Sequence, residues 1–139
     1  MTRLDTLEPE FRVKVETLLE AVEKATGRTW GLSDGRRTIS RQDALYSQGR
    51  TTAGKVVTNA RGGYSPHNFG LAADLWPMKA GDFDWSAPLE LFQTLGTLAE
   101  GMGLVWGGHF RSILDLPHVE APDWKLAQAA WKRGELRVA

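Results

Sequence analysis

Cysteine is absent from this chain of 139 residues, so disulfides and thiolate metal sites are excluded and any metal must be held by His, Asp or Glu. An excess of either charge is absent too. The 17 Lys and Arg balance 17 Asp and Glu, which argues against the basic surface of a nucleic-acid-binding domain. No run approaches the roughly 18 apolar residues of a membrane span, so no membrane insertion is expected. The opening Met1-Thr2-Arg3-Leu4-Asp5 goes directly into charged residues without the apolar segment of a secretion signal, and cytoplasmic synthesis is the expectation. Histidine is scarce, with three in the chain. What is there is an ordinary globular composition, 42% apolar and 24% charged. The length suits one domain, residues 1–139, with a core of its own and a monomeric state.

The apolar pattern predicts a mixture of helices and short strands. Leu7, Phe11, Val15, Leu18, Leu19 and Val22 recur at helical spacing, with Pro9 near the start and Gly27 after the end. Arg28 to Ser33 is strand-like. Ser40-Arg41-Gln42-Asp43 resembles an N-cap followed by an acid, opening a helix towards Gly49. Arg50 to Ser65, rich in Thr, Gly and Asn, has no period and reads as a long loop, a length that usually serves function. Leu71 to Trp76 predicts a strand stopped by Pro77, with Ala72, Asp74 and Trp76 on one face. Gly81 to Asp84 reads as a turn, and Ser86 as the cap of a helix carrying Leu89, Phe92, Leu95 and Leu98. Leu104 to Trp106 and Leu116 to Glu120 predict two strands joined through Gly107-Gly108, and Asp123 caps a last helix ending at Gly134. Trp76, Trp85, Trp124 and Trp131 are expected in the core; Trp106, also a core candidate, is placed to border a cleft.

Two of the histidines sit beside carboxylates. His67 lies in a loop, with Asp74 on the strand that follows and small residues between them; His118 lies on a different strand, three residues after Asp115. Two His and one carboxylate form a mixed donor set that suits zinc and leaves a fourth position open. Such a site supports amide hydrolysis if a further carboxylate moves the proton; Asp115 is the candidate, ahead of Glu120. By spacing alone the same residues also read as structural or solvent-facing side chains.

A wider pattern separates these readings. Ser65-x-His67-x-x-Gly70-x-Ala72-x-Asp74 with Asp115-x-x-His118 resembles the family of D-alanyl-D-alanine carboxypeptidases and L-alanyl-D-glutamate endopeptidases, which includes phage endolysins and the vancomycin-resistance D,D-dipeptidases. Gly35-Arg36-Arg37-Thr38, Gln42 and Leu45-Tyr46-x-Gln48-Gly49-Arg50-Thr51 resemble its upstream block, and Gly103 to Gly108 the stretch before its last ligand. The resemblance implies an α+β fold of the D,D-peptidase (hedgehog-like) type, a small antiparallel sheet carrying a zinc site with helices packed against it. It implies zinc on His67, Asp74 and His118, Asp115 as base and acid, and Arg37 against a substrate carboxylate or scissile carbonyl. A fixed guanidinium fork suits that role, a surface salt bridge being the other reading. Gln42 either lines the site or caps backbone; Ser65 either bonds near the metal or turns the chain before Pro66; Trp106 borders the cleft. His109 is expected at the cleft rim or as a solvated loop residue. Val119 stands where many relatives carry an aromatic residue.

The implied activity is hydrolysis of peptidoglycan stem peptides, first as an L-alanyl-D-glutamate endopeptidase of endolysin type acting at the wall after release or export by another route. A D,D-carboxypeptidase or dipeptidase is the alternative within the enzyme class. A non-catalytic zinc-containing wall-binding module is the alternative outside it, and the presence of Asp115 speaks against that.

Overall fold

The helical apolar repeat near the N-terminus becomes α1, Pro9–Thr26, in the computed structural model, which describes residues 3–139. Its cap is Glu8, whose carboxylate accepts from the backbone N–H groups of Glu10 and Phe11, and Pro9 takes the first turn where its missing N–H costs nothing. Phe11, Val15, Leu18 and Val22 form its buried stripe. α2 spans Ile39–Ser47, α3 Leu89–Gly101 and α4 Trp124–Lys132. The strands are β1 Trp30–Asp34, β2 Ala72–Lys79, β3 Asp82–Phe83, β4 Val105–Trp106 and β5 His118–Glu120. They form one antiparallel sheet in the order β1-β2-β5-β4, with β3 hairpinned onto the far end of β2.

Alternation along the strands divides the work of the sheet. Ala73, Leu75, Val119, Trp30 and Leu32 join Phe11, Val15, Leu18 and Val22 of α1 and Phe92, Leu95 and Ala99 of α3 in one core. Each large side chain buried there contributes about 1.5–3 kcal/mol of transfer free energy. Asp74, between Ala73 and Leu75, instead opens on a cleft. This is the α+β arrangement that the resemblance implies, a small antiparallel sheet with helices packed against it. No helix among the described residues is long and apolar enough to cross a membrane.

Several boundaries differ from the sequence expectations, each for a local reason. β2 runs through Pro77 because that residue lies beyond the three positions that pair with β5, where no partner needs its N–H. Thr38, not Ser40, caps α2, accepting from the N–H of Arg41. The turn expected at Gly81 to Asp84 contains the two-residue strand β3. α3 starts after Pro88 without a side-chain cap, so Ser86 does not serve there. Trp85 is 61% exposed rather than in the core, its ring lying against Trp76 and Phe83.

Candidate metal centre and active site

A bulge at the end of β1 starts the site. Leu32 pairs with Leu75 but Asp34 pairs with Asp74, so one extra residue, Ser33, is taken up between them. Bulges re-aim the chain that follows. Here the chain turns so that the Gly35 carbonyl meets His67 Nδ1 at 2.7 Å, and the Arg37 N–H donates to the His67 carbonyl at 2.9 Å. His67 itself lies in a single 3-10 turn, Pro66–Phe69, opened by Ser65, whose hydroxyl accepts from the His67 N–H. Ser65 caps this turn and also lines the cavity beside the histidine.

β5 supplies the second imidazole. His118 is the register partner of Asp74, and its Nδ1 lies 3.2 Å from Asp74 Oδ1 and 3.6 Å from Asp115 Oδ2. Its Nε2 is 2.7 Å from Glu120 Oε1. His67 Nε2 points towards the same carboxylate, 3.4 Å from Asp74 Oδ1, but is buried and makes no hydrogen bond. One donor atom from each of His67, Asp74 and His118 falls within 4.8 Å of the others. An unpartnered buried ring nitrogen is costly unless something takes its lone pair. Two imidazoles with one carboxylate form a donor set of the kind that zinc takes, so the residues present fit such an ion.

Arg37 is built in on three sides. Its Nε donates to Asp34 Oδ2 at 2.7 Å, its Nη1 to Gln42 Oε1 at 3.0 Å, and its Nη2 lies 3.6 Å from Asp74 Oδ2. Arg37 thus forms a salt bridge, as one of the expectations had it, and does so within the cluster around Asp74. Gln42 is fully buried, and its amide donates to the Ala60 carbonyl at 2.8 Å; it ties Arg37 to the 58–60 wall and does not itself line the cavity.

Asp115 arrives on the loop between β4 and β5. Its N–H donates to the Gly107 carbonyl at 3.0 Å, and a Cβ on Gly107 would strike the Asp115 carbonyl, so only glycine permits this approach. The Asp115 carboxylate, 41% exposed, lines a cavity of about 300 Å³ together with Arg37, His67, His118, Tyr64 and Phe110.

The electrostatics follow from this crowding. Burial alone would raise Asp74, but the nearby charges of His67 and His118 and the hydrogen bond from His118 outweigh it and hold the carboxyl well below its usual range. Asp115 is raised, chiefly by burial and then by the neighbouring charge of Asp74, against the pull of His118, His67 and Arg37. His118 reaches about 10: burial lowers it, and bonds to Asp74 and Glu120 more than compensate.

Residues 58–121 match the family described as D-alanyl-D-alanine carboxypeptidase. The matched segment covers a little under half of the chain. It contains His67, Asp74, Asp115 and His118, whereas Arg37 and Gln42 lie before it. The chain is also similar to a curated protein, the peptidoglycan L-alanyl-D-glutamate endopeptidase CwlK of Bacillus subtilis (strain 168), at 38% identity over 104 residues. That match covers 64% of this chain and 58% of CwlK, so the chain spans less than two thirds of that relative's length. The L-Ala D-Glu endopeptidase ChiX of Serratia marcescens shares the fold with a TM-score of 0.54 at 17% identity, over 88% of this chain and 86% of ChiX. A mutant of the vancomycin-resistance D,D-pentapeptidase VanY, solved with Zn(II), does so with a TM-score of 0.59 at 16% identity, over 92% of this chain and 79% of VanY.

Two expected members stand apart from the cavity. Trp106 is buried on the core side, its Nε1 donating to the Leu116 carbonyl, and it does not border the cleft around His67. His109 is 66% exposed, 3.4 Å from Glu100, and outside the ligand cluster. Two residues that the sequence did not single out are prominent. Asn68 is fully buried; its side-chain oxygen accepts from Gly63 N–H, and its amide donates to the Arg37 and Thr38 carbonyls, locking the loop to the arginine segment. Asp34 holds Arg37. Asn68 carries no periodic signal, and its partners are distant in sequence.

Proposed function

We propose that this chain is a zinc-dependent peptidase that hydrolyses peptidoglycan stem peptides, and first of all an L-alanyl-D-glutamate endopeptidase. The observation that carries the reading is the convergence of His67 Nε2, buried and without a hydrogen bond, with Asp74 and His118, next to a raised and half-open Asp115 carboxylate. His67, Asp74 and His118 would hold the metal. When bound, zinc supplies Lewis acidity that polarises a carbonyl and acidifies a water molecule near neutral pH.

The protein's own groups account for the rest. The Asp115 carboxylate takes a proton from the attacking water and returns it to the leaving amine as the C–N bond breaks, so acid and amine are released with the proton balance closed. Its raised pKa suits a group that must accept and then donate near neutral pH. Arg37, pinned by Asp34 and Gln42, presents a fixed cation to a substrate carboxylate or to the developing oxyanion. Val57 and Ile113 with the rings of Tyr64 and Phe110 supply the apolar wall beside these groups.

The likeness to CwlK, at 38% identity, supports the endopeptidase reading. The family's description as D-alanyl-D-alanine carboxypeptidase favours a second reading, removal of a terminal D-amino acid. Mass spectrometry of muropeptides digested by the purified protein separates them. Release of stem peptides with new amino termini on D-glutamate supports the first, and loss of a single alanine supports the second. Both products should vanish with a chelator and return with added zinc. Absence of any product under zinc-replete conditions, with peptidoglycan still bound, would leave a non-catalytic binding module instead.

A further inference from the structure

We propose that Glu120 is a positioning residue for the metal centre, taking the Nε2–H of His118 so that this ring presents Nδ1, and not Nε2, to the ion. The inference rests on the zinc reading above and deepens it. It starts from strand periodicity. His118 and Glu120 stand two apart on β5 and so share the face that carries the cleft, with side chains leaning along the strand. Across the sheet, Glu120 pairs with Ala72 on β2, a fully buried small residue that leaves room over this position. The Glu120 side chain is only 13% exposed, and its Oε1 approaches His118 Nε2 to 2.7 Å. A carboxylate at that depth needs a hydrogen-bond donor, and the imidazole supplies one.

The two histidines are thereby set up in opposite senses. His67 gives its Nδ1 to the Gly35 carbonyl and is left with Nε2 towards Asp74. His118 gives its Nε2 to Glu120 and is left with Nδ1 towards Asp74 and Asp115. In each ring the rear nitrogen is engaged, which fixes its orientation and leaves the front nitrogen as the one to meet a metal. The rear partners differ: one is a backbone carbonyl, which no side-chain replacement removes, and the other is the Glu120 carboxylate. Glu120 therefore acts through His118, at the ring nitrogen opposite the one that lies towards Asp74 and Asp115, although both carboxylates line the same cavity.

Zinc affinity, read by competition with a fluorescent chelator, tests this on wild type, Glu120→Ala and Glu120→Gln. Removing such a partner costs about 10–100-fold in metal affinity; Glu120→Ala is expected in that range and Glu120→Gln, whose amide oxygen still accepts, between it and wild type. Imidazole nitrogen NMR of the zinc-loaded protein should show His118 Nε2 protonated with a low-field proton, which moves upfield in Glu120→Gln. Equal zinc affinity in all three proteins overturns the role of Glu120 while leaving the zinc reading standing, as does a loss of hydrolysis with affinity and resonances unchanged. Failure of the wild type to bind zinc overturns both. If circular dichroism shows that Glu120→Ala does not fold, the Glu120→Gln resonance decides: an unmoved proton signal overturns the proposal.

Discussion

Asp74 and His118 face each other as register partners on β2 and β5, with Oδ1 of the carboxylate 3.2 Å from Nδ1 of the ring. The pairing means that one strand-to-strand register brings a candidate ligand from each half of the motif together, and His67 closes the set from the turn before β2. Replacing His118 or Asp74 by Ala should therefore remove zinc after dialysis and abolish lysis of purified cell walls, while the core side of the sheet, built on Ala73, Leu75 and Val119, keeps the fold. Metal analysis alongside turbidity loss checks this. Cell-wall lysis that persists in the His118→Ala protein would sink the assignment of the centre.

Asp115 occupies a different position, 3.6 Å from His118 Nδ1 and partly open to solvent. Asp115→Asn keeps the shape but cannot accept a proton. The expected result is zinc binding close to wild type with kcat lowered by about 10²–10⁴-fold, the usual weight of a general acid–base group. A variant that lost zinc in parallel with activity would instead make Asp115 a ligand.

The sequence carried the centre more fully than the fold around it. The grouping of His67, Asp74 and His118 was legible because metal chemistry restricts donors to a few residue types and the chain holds only three His and no Cys. The amphipathic helices were legible from their period. Strand ends were not, because β2 passes through Pro77 by virtue of where β5 stops pairing, a tertiary fact. Trp106 was misjudged for a related reason: adjacency to the motif in sequence says nothing of which face of β4 a ring takes, and this ring packs against Gly96 of α3. Gln42 and Asn68 look like ordinary polar residues until their partners, 18 and 31 positions away, are brought to them.

Proton linkage at His118 gives a pH prediction. Its pKa in the metal-free protein is about 10, above the ordinary 6.5. A raised value in the folded state means that its contribution to stability is fully present below pH 6.5 and is lost as pH rises through about 10. Metal needs the deprotonated ring, so zinc binding at pH 7 should release about one proton from His118 and tighten with rising pH. Calorimetry in buffers of different ionisation heat measures the release, and denaturant midpoints of chelator-treated protein should fall between pH 7 and 10. A binding enthalpy independent of buffer would contradict this account.

Gln42 offers the sharpest separation of substrate handling from metal binding. Its side chain sits between Arg37 Nη1 and the Ala60 carbonyl, fully buried, and touches none of the metal-ligating atoms. Gln42→Ala leaves a guanidinium N–H and a buried carbonyl without their partner, a cost of about 1–3 kcal/mol for each group left unsatisfied. Gln42→Glu keeps an acceptor for Arg37 but turns a charge towards the Ala60 carbonyl. With Arg37 loosened from the 58–60 wall, the expected outcome for both variants is unchanged zinc affinity and a lowered kcat/KM. The Ala variant should also melt earlier. Because Arg37 keeps its bond to Asp34, activity should fall less than in Arg37→Ala. Kinetics on a defined stem peptide, run beside zinc competition, checks the ranking. A Gln42→Ala protein with wild-type kcat/KM would show that Asp34 alone holds the guanidinium in place.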